Sequence, residues 1–255
     1  MHRLRFHFNA ELNDFLVPQR RDQTFAIAYE ARASIKDVIE SLGVPHPEVE
    51  VITANGTPID FAYVPKPDDL IEVYPASFAP DVQPRATDQP PPQPCFVLDV
   101  HLGRLAEYLR LLGFDTLYRN DYDDDELAAI ADEQRRILLT RDRGLLKRGR
   151  VIYGRYVRAT DPQQQIREIV RRWQLIDQIR PFHRCTRCNG LLAPVDKAAI
   201  IDQLPPLTHQ HYNSFQQCQN CGQIYWPGTH YERMQQFVAQ LRAEHGQFTD
   251  GSATS

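Results

Sequence analysis

The sequence predicts an α/β protein in three parts: an N-terminal mixed sheet, a central parallel sheet and a C-terminal metal-binding segment. A stretch with six prolines, residues 79–94, separates the first part from the second and is typical of a semi-rigid linker. Beyond it, short apolar strands alternate with amphipathic helical segments, the pattern of a parallel sheet covered on both faces. Two C-x-x-C pairs then follow. We therefore divide the chain into residues 1–78, the linker 79–94, residues 95–180, residues 181–245 and a flexible tail at 246–255.

The N-terminal part has the element order of a small mixed sheet. LRFHF and FAIAYEA alternate like antiparallel strands, and SIKDVIESLGV has the apolar spacing of a helix. VEVIT, an Asn55-Gly56 turn and DLIEVYP follow as strands. This order resembles the β-grasp, or ubiquitin-like, fold. Sulfur-carrier proteins of that fold end in a free Gly-Gly, whereas the matching position here reads YPASF, so we expect an interaction or positioning module with a possible protein partner.

The lengths of the apolar runs exclude a membrane-spanning protein. No apolar run approaches the ~20 residues that a transmembrane helix needs. The N-terminus lacks the apolar core of a signal peptide, so a cytoplasmic location is expected. Five cysteines, four of them in C-x-x-C pairs, favour a metal over disulfides in a reducing compartment.

The charge is unevenly distributed, although the formal net charge is only −4. Residues 141–187 carry 13 Lys or Arg against 4 acids, whereas residues 1–94 carry 8 basic and 14 acidic residues. A basic segment of this kind is typical of a protein that binds a polyanion. The alternative interpretation is a solvated helix face rich in arginine.

Acidic residues follow the strands of the predicted central sheet. Asp99 comes at the end of FVLDV, Asp142 comes two residues after RILLT, and the cluster DYDDDE occupies 121–126. Because ligands bind at the carboxyl edge of such sheets, we expect these acids to meet there. Each could instead cap a helix, since short acids satisfy the free amides of a first turn. Together, however, several carboxylates at one edge repel one another unless a cation offsets their charge.

Carboxylates without neighbouring His or Cys suit Mg²⁺ or Mn²⁺ rather than zinc. Nearby arginines would then contact a phosphate backbone. No Walker A, dinucleotide-binding, zinc-protease or serine-hydrolase motif is present. The sequence thus predicts a divalent-ion site beside arginines that contact a nucleic-acid backbone, namely Arg104, Arg110, Arg141, Arg143 and Arg148.

The two cysteine pairs predict a structural zinc site. Four thiolates close a tetrahedral Zn²⁺ shell, and the ligands are Cys185, Cys188, Cys218 and Cys221. A redox C-x-x-C would need a thioredoxin-like unit, which the pattern does not supply. Tyr225, Trp226 and Tyr231 follow the second pair and could stack on bases or pack the ribbon, and His230 is a candidate phosphate contact.

Several motifs, taken in order, resemble one known family. FVLDVHLGRLAEYLRLLGFDTLY, ILLTRDRGLL, RCTRCNGLL and CQNCGQIYWPGTHYERM are similar to the C-terminal RNase-like domain family of the Mut-seven protein, over residues 96–240. The resemblance implies a PIN-like nuclease fold joined to a zinc ribbon, with metal-dependent cleavage of RNA. It also implies catalytic roles for Asp99, Asp124 and Asp142. Asp121, Asp125 and Glu126 are rivals of Asp124, and Asp161 is the candidate for a fourth acid.

The leading hypothesis is therefore a cytoplasmic ribonuclease that depends on Mg²⁺ or Mn²⁺ and carries a structural zinc ion. The first alternative is a non-catalytic RNA-binding adaptor with the same fold. The second is a protein-interaction scaffold led by the β-grasp domain.

Overall fold

The computed structural model describes residues 2–29, 32–78, 80 and 93–250, and for residues 2, 209, 230 and 245–250 it describes the backbone alone. Most of the predicted linker at 79–94 lies outside the described residues. The chain forms two compact units, residues 1–101 with 119–158 and residues 102–118 with 159–255. These units differ from the predicted division, because residues 102–118 and 159–180 group with the cysteine-containing segment.

The N-terminal region forms a five-stranded sheet in the order β2-β1-β5-β3-β4. β1 pairs with β2 antiparallel and with β5 parallel, and Arg5 lies opposite Leu70 in the parallel pair. This is the predicted β-grasp arrangement. Its elements are β1 (His2–Phe8), β2 (Phe25–Tyr29), α1 (Ile35–Ser41), β3 (Val51–Ala54), β4 (Thr57–Ile59) and β5 (Leu70–Tyr74).

Local sequence signals account for these elements. Leu4, Phe6 and Phe8 alternate along β1 and are buried against α1, as expected when one face of a sheet covers a core. The Ser34 side chain caps α1 by accepting a hydrogen bond from the Asp37 amide at 3.2 Å. Asn55 has a φ of 52°, which suits the predicted tight turn between β3 and β4.

The central sheet has four strands in the order β7-β6-β8-β9. β8 pairs in parallel with both β6 and β9, as predicted. Leu138 and Leu139 of β8 are fully buried, which explains the continuous apolar run in the sequence. The elements are β6 (Phe96–Leu98), α2 (Gly103–Leu111), β7 (Thr116–Tyr118), α3 (Asp124–Glu133), β8 (Ile137–Thr140), α4 (Arg143–Leu146) and β9 (Gly154–Tyr156).

The remainder of the chain combines helices with a three-stranded antiparallel sheet, order β10-β11-β12. The elements are α5 (Pro162–Arg172), β10 (Leu192–Val195), α6 (Lys197–Ile200), α7 (Pro206–His211), β11 (Phe215–Cys218), β12 (Ile224–Tyr225) and α8 (Thr229–Asp250). None of the helices in the described part of the chain is long and apolar enough to cross a membrane.

Helix α8 extends into the predicted flexible tail at 246–255, because residues 246–250 belong to the helix. Residues 251–255 lie outside the described part. The sequence signal for α8 is the spacing of Met234, Phe237, Val238 and Leu241, which recur at helical intervals and are all buried. A strongly polar opposite face lowers the mean hydropathy of the segment and obscures this stripe.

A buried carboxylate links the N-terminal sheet region to β9. The Glu48 side chain is fully buried, and its Oε2 accepts hydrogen bonds from Arg155 at 2.8 Å and Arg158 at 3.3 Å. Its Oε1 accepts from the Tyr156 amide at 2.6 Å. Arg158 also contacts the Asp14 carboxylate at 3.1 Å. Acids of the N-terminal region therefore neutralise part of the basic segment that the sequence suggested for a polyanion.

We expect Glu48→Gln to lower the free energy of unfolding by about 3–5 kcal/mol, since it removes one charge from a buried ion pair. The substitution keeps the shape of the side chain, so the effect isolates the charge opposite Arg155. Urea denaturation would measure it. The matched control is Asp14→Asn, because the Asp14 side chain is 59% exposed and an exposed pair contributes about 1 kcal/mol or less. Equal losses in the two variants would contradict the importance of the buried contact.

Candidate active site and metal centre

Two of the predicted acids meet at the carboxyl edge of the central sheet. Asp99 directly follows β6 and is 7% exposed, and Asp142 follows β8. The Thr140 hydroxyl joins them, since it donates to Asp99 Oδ2 at 2.7 Å and accepts from the Asp142 amide at 2.8 Å. The pairing of β6 with β8 produces this arrangement. Thr140 was not among the predicted site residues, although a polar residue at the end of the apolar run ILLT was a usable signal.

Asp142 also has a structural task. Its Oδ1 accepts hydrogen bonds from the Gly144 amide at 2.6 Å and the Leu145 amide at 3.3 Å, and it thereby caps α4. These bonds engage one carboxylate oxygen. Oδ2 of Asp142 and Oδ1 of Asp99 take no part in these hydrogen bonds. The capping alternative and the catalytic hypothesis are therefore compatible for this residue.

The helix acids face a different partner. Asp123 caps α3 with a capping box to Glu126, which explains one of the rival acids. Asp124 and Asp125 lie in the first turn of α3 and pair with Arg148, whose guanidinium lies 3.5 Å from Asp124. Asp121 accepts from Arg119 at 2.6 Å, and this hydrogen bond lowers the pKa of its exposed carboxyl.

The fit of these acids to a divalent ion is partial. Among the residues that the structure describes, only the cysteines form a group of three or more metal-binding side chains with converging ligand atoms. The expected convergence of Asp99, Asp124 and Asp142 is thus not met, because Asp124 turns to Arg148. Mg²⁺, however, binds proteins through one or two carboxylates while keeping several waters. Asp99 and Asp142 supply that minimum.

The fourth acid, Asp161, caps α5. Its Oδ1 accepts from the Gln163 and Gln164 amides, each at 3.0 Å. Pro162 follows at the first helical position, so α5 begins with residues that are common at helix N-termini. Capping accounts for the residue without a catalytic role.

The predicted RNA-binding arginines have different environments. Arg110 is 5% exposed and donates to the backbone carbonyls of Thr116, Tyr118, Thr186 and Arg187, which argues against contact with a phosphate. Arg143 lies on the Phe15 ring, 5.0 Å from its centroid, and donates to the Asp14 carbonyl.

Arg104, like Arg143, is exposed, whereas Arg141 and Arg148 are partly buried. The Arg104 side chain is 74% exposed beside Glu107, and the Arg148 side chain is 37% exposed beside the α3 acids. Arg141 donates to the carbonyls of Val157 and Arg158. The His230 side chain lies outside the described part of the chain.

The four predicted zinc ligands converge. All four Sγ atoms lie within 4.8 Å of one another, with Cys185 3.7 Å from Cys221 and Cys188 3.4 Å from Cys218. A tetrahedral zinc–thiolate shell places its sulfur atoms ~3.8 Å apart, as follows from Zn–S bonds of about 2.3 Å. The four thiols can therefore hold one zinc ion.

Two tight turns bring the cysteines together. Asn189 and Gly222, each directly after the second cysteine of its pair, have φ values of 68° and 73°. Gly190 lies where a Cβ atom would meet the Asn220 side chain at 2.8 Å and Cys218 Sγ at 2.9 Å. A residue without a side chain at 190 thus allows the two turns to approach closely.

The pKa values of two of the four thiols are shifted in opposite directions. Burial raises the pKa of Cys188 to about 12. Burial acts in the same direction on Cys218, but hydrogen bonds from the backbone of Cys221 and Asn220 outweigh it and lower its pKa to about 7. Burial likewise raises the pKa of Tyr225 to about 12, and its hydroxyl lies 3.1 Å from Cys185 Sγ. The phenol therefore stays protonated beside the cysteine cluster at neutral pH.

Comparison with known proteins gives two matches. The family model described as the Mut7-C RNAse domain matches residues 94–238, and that described as Mut7-C ubiquitin matches residues 1–81. The first match covers more than half of the chain and includes the acids, the arginines and the cysteines described above. Comparisons with curated proteins and with solved structures gave no match.

Proposed function

Because the chain belongs to the Mut7-C RNAse domain family, we propose that it is a ribonuclease that cleaves RNA phosphodiester bonds with a Mg²⁺ or Mn²⁺ ion. The observation that carries this proposal is the Thr140 bridge between Asp99 and Asp142. It fixes two acids from neighbouring strands at the edge of a parallel sheet, where such folds bind ligands.

Each residue has a distinct part in the proposed reaction. Asp99 and Asp142 would hold the ion, and the Thr140 hydroxyl keeps the Asp99 carboxylate in one orientation. When bound, the ion lowers the pKa of a coordinated water and stabilises the charge that develops on the phosphate. The low exposure of Asp99 keeps bulk water from competing for its carboxylate. The α3 acids are left out of this minimal set because Arg148 engages two of them.

The direct test is cleavage of single-stranded and structured RNAs by the full-length protein. We expect cleavage when Mn²⁺ or Mg²⁺ is added and none when both are omitted. Omission is preferable to EDTA, because a chelator also competes for zinc at the cysteines. Asp99→Asn, assayed in parallel, separates cleavage at this site from a contaminating nuclease. Equal cleavage by the wild-type protein and the variant would refute the proposal.

A non-catalytic RNA-binding adaptor is the second candidate. It is favoured by the pairing of Asp124 with Arg148. An adaptor would bind RNA without cutting it in the presence of either ion. The ubiquitin-like domain supports an interaction with a protein partner in both cases.

The proposed RNA contacts are Arg104, Arg141 and Arg148, and their effects should differ from that of Arg143. We expect Arg148→Ala to weaken RNA binding and to reduce the salt dependence of log K by about 0.7, the value for one phosphate contact on a single strand. Arg143→Ala should instead lower stability by ~1 kcal/mol, because its guanidinium lies on Phe15. Salt titrations of fluorescence anisotropy, together with thermal melts, distinguish the two effects. An unchanged slope in Arg148→Ala would assign that side chain to the α3 acids alone.

We also propose that the four cysteines bind one structural zinc ion. The set leaves no open coordination position, so the ion would support folding rather than catalysis. The proximity of all four sulfur atoms supports this assignment.

A further inference from the structure

The cysteine-containing unit carries a cavity of about 200 Å³ whose walls are largely aromatic. We refer to it as the aromatic pocket, and its lining includes Pro181, Phe182, Gln216, Tyr225, Trp226 and Tyr231. The Phe182 and Tyr231 rings stack with their centroids 4.1 Å apart and their planes 25° apart. Phe182, Trp226 and Tyr231 are only partly buried, so these rings present open faces.

One of these rings belongs to a residue with a strained backbone. Phe182 has a φ of 61°, a conformation that bulky residues rarely adopt. Hydrogen bonds fix the segment on both sides, from the Phe182 amide to the Leu111 carbonyl and from the Leu192 amide to the His183 carbonyl. Strain of this kind persists where the surrounding structure imposes it, and it clusters at functional sites.

One residue that lines the pocket carries an acceptor that lacks a donor. Gln216 Oε1 is buried and accepts no hydrogen bond from the described residues. A buried polar atom without a partner is costly, and native proteins rarely leave one. A ligand with an N–H group can supply the missing hydrogen bond. Thus the pocket combines flat apolar walls with one amide oxygen that needs a hydrogen-bond donor.

Charge is found beside the pocket rather than inside it. The lining residues are all uncharged. Arg180 and His183 flank the Pro181-Phe182 segment in sequence, and both are exposed. Uncharged aromatic walls next to cationic side chains match a nucleotide, whose base is flat and apolar and whose phosphate is anionic.

We propose that the aromatic pocket binds one unpaired nucleobase of single-stranded RNA. The base adds to the stack at an open face of the pocket, an N–H group of the base donates to Gln216, and Arg180 lies near the adjoining phosphate. The inference rests on the proposed function in taking RNA as the ligand. A base within a duplex is covered on both faces by its neighbours, so the pocket selects single strands.

The test compares the binding of a labelled five-nucleotide RNA with that of a ribose-phosphate oligomer of equal length without bases, in the absence of Mg²⁺ and Mn²⁺. Phe182→Gly is the informative variant, because glycine adopts a positive φ without strain. The substitution therefore removes the aromatic side chain and keeps the backbone conformation. We expect its Kd for the RNA to rise roughly 5- to 150-fold, the loss of one base–aromatic stack. Binding of the baseless oligomer and the melting temperature should not decrease.

Two further variants complete the design. Phe78→Ala removes an aromatic side chain that is 61% exposed in the N-terminal region, and it should leave the Kd for RNA unchanged. Tyr231→Ala removes the second ring of the stack and should reproduce the loss if Phe182→Gly folds poorly. Wild-type RNA affinity in folded Phe182→Gly, or an equal loss for the baseless oligomer, would overturn the inference. So would displacement of the RNA by a proline-rich peptide that binds Phe182→Gly more weakly than wild type.

These outcomes are separable from those of the ribonuclease test. Ion-dependent cleavage with no effect of Phe182→Gly on binding refutes the pocket alone. Binding that depends on Phe182, without cleavage under any ion, supports the pocket and refutes the catalytic proposal. An RNA that does not bind the wild-type protein refutes both.

Discussion

Replacing Asp99 by Asn is expected to reduce RNA cleavage by about 100-fold or more, because a catalytic ion contributes several kcal/mol and each 1.4 kcal/mol is about tenfold in rate. The amide oxygen of Asn can still accept the Thr140 hydrogen bond, so the fold should tolerate the change. RNA binding should persist or tighten, since a negative charge is removed from a surface that faces phosphates. Initial cleavage rates at saturating Mn²⁺, with circular dichroism melts, provide the measurement.

Asp142 allows the catalytic and capping roles to be separated. Asn caps helices about as well as Asp, so Asp142→Asn should keep its bonds to Gly144 and Leu145 while losing the charge. We expect little change in melting temperature and a large loss of cleavage. Asp142→Ala should lose cleavage and also about 1 kcal/mol of stability. Unimpaired cleavage by both Asn variants, at positions 99 and 142, would refute these two acids as the site of cleavage.

Cys218→Ser is expected to lower the zinc content from about one ion per chain toward zero and to unfold the cysteine-containing unit, because structural zinc contributes directly to folding. Cys218 is buried and has a lowered thiol pKa, so serine is a poor substitute for its thiolate. Zinc content by mass spectrometry and the melting temperature should fall together.

Cys95→Ser is the matched control for this variant. Cys95 lies in the first unit and is not part of the cysteine cluster. We expect Cys95→Ser to keep the zinc content and the melting temperature of the wild-type protein. A Cys218→Ser protein with full zinc content would contradict the assignment of Cys218 as a zinc ligand.

Much of the fold could be predicted because local patterns determine it. The alternation in β1, the Asn55-Gly56 turn and the apolar run of β8 each have one favoured structure, and the two C-x-x-C pairs favour a shared metal site. The positions of Asp99 and Asp142 at one edge follow from parallel pairing. What these carboxylates contact could not be predicted, because capping by Asp142 depends on ångström-scale placement of two amides.

The charge pattern has a structural role that the sequence did not indicate. The uneven charge indicated a surface for a polyanion, whereas Glu48 and Asp14 pair with Arg155 and Arg158. The opposite signs were visible in the sequence, but their pairing depends on how the sheet region meets β9. Similarly, nothing in the spacing of Arg110 distinguished it from the exposed arginines, because the carbonyls that it contacts are up to 77 residues away.

The contacts of residues 102–118 have a consequence for synthesis on the ribosome. The Thr116 amide donates to the Asn189 side chain 73 residues later, and Asp115 accepts from Asn189 and Arg184. At roughly 5–20 residues per second, these partners emerge about 4–15 s after Asp115 and Thr116. During that interval the start of β7 lacks these hydrogen bonds. Nascent chains paused before residue 184 should therefore be more open to proteases at this segment, and protection should follow translation of the first cysteine turn.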